Sequence, residues 1–160
     1  MSKKFQVGLF IGEKTIGYPA ALSQGVRNAL EEQGAQVITF EDLVPYHARD
    51  NSGDYFRIIF KIAASLNLDA YIVPAGGVGH FLYGSSVTVE ELLLFLDKRK
   101  TLVIEHEIPG YLCIIKNNKP GMRECIRHLI EDRGYTKIGF ISGHASSSSD
   151  GQRTCIIQTP

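Results

Sequence analysis

AYIVPAGGVGHFLYGSS, residues 70–86, joins an apolar run to a loop rich in glycine and hydroxyl groups. The run AYIVP (70–74) is apolar throughout instead of at alternate positions, the pattern of a parallel strand covered on both faces. The glycines of AGGVGHFLYGSS (75–86) let a backbone pass close to another group, as the wall of a binding site must. A buried strand opening into such a loop is the signature of a doubly wound sheet, and the chain on either side repeats it.

Upstream, QVGLFI (6–11) and QVITF (36–40) read as strands; downstream, TLVIE (101–105), LCII (112–115) and KIGFIS (137–142) do the same. Helical periods lie between them. Leu22, Val26, Ala29 and Leu30 share one face of a first helix, with Pro19 near its first turn and Gly34 at its end. Phe56, Ile59, Phe60 and Ala63 mark a second. Thr88 and Glu91 stand in capping-box spacing ahead of a third, which buries Val89, Leu92, Leu93 and Leu96. A fourth starts at Asn118 with Pro120 just inside, and carries Met122, Cys125, Ile126, Leu129 and Ile130 before Gly134.

Strand–helix–strand repetition gives right-handed crossovers and an α/β, doubly wound parallel sheet. Ligands of such sheets sit beyond the carboxyl ends of the strands, where strand order reverses. The loops there are GEKTIGYP (12–19) and AGGVGHFLYGSS (75–86), so Glu13, Tyr18, Gly76 and the strand-end Glu105 are the expected ligand-facing residues. One spacing departs from the pattern. Only HEIPGY (106–111) separates the fourth and fifth strands, which suggests that strand five leaves the first layer and carries the chain elsewhere.

Composition narrows the function. Lys+Arg and Asp+Glu both number 17, so no net field draws nucleic acid or an anionic membrane. With 44% hydrophobic and 21% charged residues in 160, one domain with a real core is expected. Cys113, Cys125 and Cys155 have no metal-ligand spacing and suit a reducing compartment; the cytoplasm is the expected location. The first apolar run is broken by Gln6 and Gly8 and followed by Glu13 and Lys14, the mark of a first strand and not of a signal peptide.

Chemical motifs are few. The five histidines show neither HxxxH nor HExxH spacing, so no metal site is expected. His144, Asp150 and Ser146–Ser149 supply triad residue types, but without G-x-S-x-G there is no nucleophile elbow, and no catalytic residue is assigned. GGVGH (76–80) lacks the lysine and hydroxyl of a phosphate loop. EKTIGY (13–18) lacks the repeated hydroxyls of a flavin-phosphate loop, and Pro19 removes a donor. A flavodoxin-like flavin-binding electron carrier is the alternative that this loop leaves open; the main reading needs no cofactor.

Residues 112–153, LCIIKNNKPGMRECIRHLIEDRGYTKIGFISGHASSSSDGQR, resemble the crossover of LacI/GalR-type, periplasmic-binding-protein-like sensor domains. Asn117-Asn118 fills the place of an Asp-Asn pair, Gly121-Met122 follows, His128-Leu129-Ile130 with Gly134 matches the helix end, and Lys137–Gly143 matches the strand and loop. GVRNALEEQGAQVITF (25–40) is similar to the first lobe more loosely. LDAYIVPAGG and VTVEELLLFLDKR resemble a branch joined to signalling outputs such as a diguanylate cyclase.

The resemblance implies a non-enzymatic, two-lobed clamshell that closes on a sugar or nucleobase-like ligand, with Asn117 and Arg153 added to the ligand-facing set. It divides the chain into a first lobe, 1–116, and a crossover with an incomplete second lobe, 117–160, comprising one helix and one strand. Met1 directly precedes strand one, so no direct contact with nucleic acid is expected of this chain. Asn117 in place of aspartate keeps an acceptor, adds a donor and removes a charge, which suits a hydroxyl-rich ligand less well. TCIIQTP (154–160) departs from the pattern and reads as an aberrant tail. A truncated sensor with impaired ligand binding is therefore expected, or the product of a disrupted gene without function. An uncovered fourth helix would forgo about 1.5–3 kcal/mol for each apolar side chain left in water, which favours self-association into a homo-oligomer.

Overall fold

The computed structural model describes residues 4–11, 17–41, 52–82 and 85–139. The chain divides into two compact units, Met1–Ile114 and Ile115–Pro160. In the first, β1 (Gln6–Ile11), β2 (Gln36–Glu41), β3 (Ala70–Pro74), β4 (Thr101–Ile104) and β5 (Leu112–Ile114) form one sheet in the order β2-β1-β3-β4-β5. Each neighbouring pair is parallel, with Val7 opposite Val37 and Ala70, and Val103 opposite Cys113. The helices are α1 (Gly17–Glu32), α2 (Ser52–Ser65), α3 (Ala75–Phe81) and α4 (Val89–Leu93), and a single 3-10 turn, Lys98–Lys100, leads into β4.

β1 lies inside the sheet, between β2 and β3, because its sequence serves both faces. Val7, Leu9 and Ile11 are buried on one side and Phe10 on the other. Phe10 stacks on Phe60 of α2 at 4.2 Å and on Phe40 of β2 at 5.0 Å. Around them Phe56, Ala63, Tyr71, Val73, Leu92, Leu93 and Val103 complete the larger core. Gly8 faces the same side. A Cβ there would stand 2.9 Å from the Phe40 ring and 3.0 Å from Tyr71, so the aromatic packing depends on the absence of a side chain. The Tyr71 hydroxyl accepts from Leu68 N at 3.0 Å and donates to Ala63 O at 3.1 Å, which ties the end of α2 to β3.

Two sequence expectations need correction here. The glycine-rich stretch after β3 is not a loop at its start: α3 follows Pro74 directly, with Ala75 and Val78 buried beneath it. Strand five does not leave the sheet. β5 pairs with β4 at its edge, reached by a helix-free link in which Gly110 turns at φ +84°. Most parallel neighbours need a crossover of a dozen residues or more, and this pair does without one.

The second unit contains α5 (Lys119–Arg127), which continues as a π-helical turn, His128–Asp132, and ends before Gly134 at φ +67°. None of these helical residues is buried. Asn118 makes no side-chain cap; Asn117 Oδ1 instead accepts from Lys119 N at 3.2 Å. His128 Nδ1 lies 2.7 Å from Asp132 and its Nε2 accepts from Arg133, a surface cluster along the helix. Lys137–Gly139 are exposed and form no strand, and the remainder of the expected sixth strand falls outside the described residues.

Candidate functional site

In the order β2-β1-β3-β4-β5 the crossovers reverse direction between β1 and β3, so the carboxyl ends of these two strands open the crevice that doubly wound sheets use for ligands. Three elements bring side chains to this end. α1 begins at Gly17 and places Tyr18 in its first turn. α3 begins at Ala75 and places Gly76 in its own. β4 ends at Ile104 and Glu105 follows.

These three residues converge. The Tyr18 hydroxyl donates to the Glu105 carboxylate. Gly76 lies so close beneath that carboxylate that a Cβ on it would overlap Glu105 Oε2. Glu105 itself adopts a left-handed backbone at φ +79°, which costs a residue with a side chain about 1–3 kcal/mol. Its N–H donates to Ile114 O at 2.8 Å, so β5 helps hold the strained turn. Burial, then the charge of Glu105 and the hydrogen bond to it, hold the Tyr18 phenol above its ordinary value of 10.0. Tyr18 remains 47% exposed, so the pair is reachable from solvent.

Next to Glu105, His106 carries a buried Nδ1 that makes no hydrogen bond among the described residues. Asn117 belongs to the second unit, where its amide oxygen is engaged in the local turn already described. Glu13 and Arg153 lie outside the described residues. Among the described residues no group of three His, Cys, Asp or Glu side chains is placed to hold a metal ion, and Cys113 and Cys125 are free thiols. No helix among them is long and apolar enough to cross a membrane.

A carboxylate can accept hydrogen bonds from hydroxyls or amines, and a phenol offers an amphipathic edge. What sequence reasoning missed is the coupling. Glu105 was placed by strand-end geometry, but its left-handed turn and its bond to Tyr18 have no local sequence mark.

The fold defines the class. A trehalose repressor from Escherichia coli superposes with a TM-score of 0.68 at 14% identity, over 96% of this chain and 54% of its own. A LacI-family transcriptional regulator from Lactobacillus casei, solved with bound sucrose, gives 0.64 at 18%, over 96% and 52%. A glucose-galactose binding protein from Geobacillus stearothermophilus gives 0.65 at 17%, over 98% and 55%. No family model matches the sequence, and no curated protein does. The chain thus has the LacI-type, periplasmic-binding-protein-like fold, its five-stranded parallel sheet corresponding to the first lobe. It spans about half the length of the structures it resembles.

Proposed function

We propose that this chain is a small-molecule-sensing domain of a LacI/GalR-type transcriptional regulator or a related signalling protein, binding a ligand and not transforming it. The convergence of Tyr18, Gly76 and Glu105 at the strand-order reversal carries the reading. A clamped carboxylate beside a phenol suits a neutral, hydroxyl-rich ligand, and the names of the similar structures, trehalose repressor and glucose-galactose binding protein, point the same way. Glu13, Asn117 and Arg153 are assigned to the same ligand on sequence alone. A site of this class works in the cytoplasm, where a regulator meets its metabolite.

Affinity follows from enclosure. A drug-sized ligand held well buries about 70–90% of its surface, and the residues at the ends of β1, β3 and β4 form one wall. Binding by this chain is therefore weak, in the millimolar range.

The test is an NMR titration of the 160-residue protein with D-galactose, D-ribose and sucrose, reading the amides of Tyr18, Gly76 and Glu105. Shifts at all three that vanish in Glu105→Ala support the assignment. Shifts elsewhere only, or shifts indifferent to Glu105→Ala, refute it. Micromolar affinity would refute the weak-binding part alone.

A further inference from the structure

We propose that Tyr18 is a built-in occupant of the ligand site: in the free protein its hydroxyl holds the place on Glu105 that a ligand hydroxyl takes, and the ligand must displace it. The inference rests on the ligand-sensing reading of this site and adds how the site is regulated. The acceptor is confined. The Glu105 backbone stands at φ +79° with its N–H on Ile114 O, and Oε2 lies against α3 at Gly76, in the space that a Cβ there would take. α3 thus covers one side of the carboxylate, and the Tyr18 hydroxyl donates to it from α1. A hydrogen bond to a charged acceptor is stronger than one between neutral groups, so an incoming hydroxyl meets a real competitor.

Tyr18 is also built to yield. The hydroxyls of Tyr71 and Tyr111 bond to the backbone carbonyls of Ala63 and Leu93, and so fasten one element of the fold to another. Tyr71 is 3% exposed, and freeing it would open the core. Tyr18 bonds instead to a side chain beside the strand-order reversal and is 47% exposed, so its ring leaves with little loss of burial. It sits in the first turn of α1, and helix ends fray. Gly17 before it stands at φ +72°, where a Cβ would meet nothing within 4 Å, so no packed neighbour resists the movement. The cost to the ligand follows from populations. A pair closed about nine times in ten leaves about a tenth of the molecules competent, and the apparent dissociation constant is then about tenfold the intrinsic one.

Titration of the 160-residue protein with D-galactose, D-ribose and sucrose, read at the amides of Gly76 and Glu105, makes the test. Tyr18→Phe keeps the ring and removes the competing donor. It is expected to bind the sugar roughly three- to tenfold more tightly than the wild type, and Glu105→Ala to abolish binding in both backgrounds. Tyr55→Phe, on the exposed side of α2, leaves the dissociation constant in place. Thermal melts at pH 7 without sugar read the closed pair directly. Tyr18→Phe lowers the melting temperature by about 2–4 °C, and Tyr18→Phe/Glu105→Ala melts no lower than Glu105→Ala alone. Glu105-dependent binding that is unchanged or weaker in Tyr18→Phe overturns the proposal and leaves the site reading intact, with the phenol an ordinary ligand contact. Additive losses in the melts overturn it as well, since the pair is then open in the free protein. Binding indifferent to Glu105→Ala, or none by any variant, removes the site reading and the proposal with it.

Discussion

Gly76 and Glu105 share one space: the carboxylate of Glu105 occupies the position that a side chain on Gly76 would need. The glycine therefore sets where the acid stands. Gly76→Ala pushes the Glu105 carboxylate aside at a small cost, no more than about 1 kcal/mol, because the clash is with the far end of a flexible side chain. In Glu105→Ala the same substitution costs much less, because the clash is gone. Urea unfolding of the two single variants and the double variant gives the coupling; equal costs in both backgrounds would disprove it.

The backbone of Glu105 leads to a second expectation, opposite in sign. Glycine adopts φ +79° freely, so Glu105→Gly relieves strain and raises stability by up to about 1 kcal/mol, while Glu105→Gln does not. Both remove the charge, and on the proposed function both weaken sugar binding. Thermal melts of the pair, beside the sugar titration, separate the cost of the backbone from the work of the carboxylate.

Alkali acts through Tyr18. Its folded pKa lies above the ordinary 10.0, so the folded state holds the proton where the unfolded chain releases it. That advantage is complete below the unfolded value and is lost as pH rises through the folded one. Tyr111, its hydroxyl on Leu93 O at 3.0 Å and its phenol raised by burial, behaves alike. Between about pH 9 and 11, melting temperatures of Tyr18→Phe fall less steeply than those of the wild type, and those of Tyr18→Phe/Tyr111→Phe less steeply still. Parallel curves would contradict the assignment.

The aromatic stack anchors the first unit. Phe60 is fully buried against Phe10, and Phe60→Ala costs about 3–5 kcal/mol by denaturant unfolding. Thr88→Ala removes the hydroxyl that accepts from Glu91 N at 3.2 Å and costs about 1 kcal/mol. A cost for Phe60→Ala no larger than that for Thr88→Ala would mean that the core is not organised around this stack.

The parallel sheet was legible because its strands, from Val7 to Val103, carry apolar residues on both faces. So was the third helix, where Thr88 and Glu91 announced the cap and Val89, Leu92, Leu93 and Leu96 proved buried. α3 was not, since Gly76, Gly77 and Gly79 suppress helix propensity, and only the burial of Ala75 and Val78 against the core overrides it. Strand-end geometry brought Tyr18, Gly76 and Glu105 to one place. Their contact depends on a positive φ at a glutamate, which no composition rule anticipates.

β5 is three residues long and linked to β4 without an intervening helix, and its last residue, Ile114, accepts from the Glu105 amide. The rung that steadies the acid is thus also the point where the polypeptide quits the sheet.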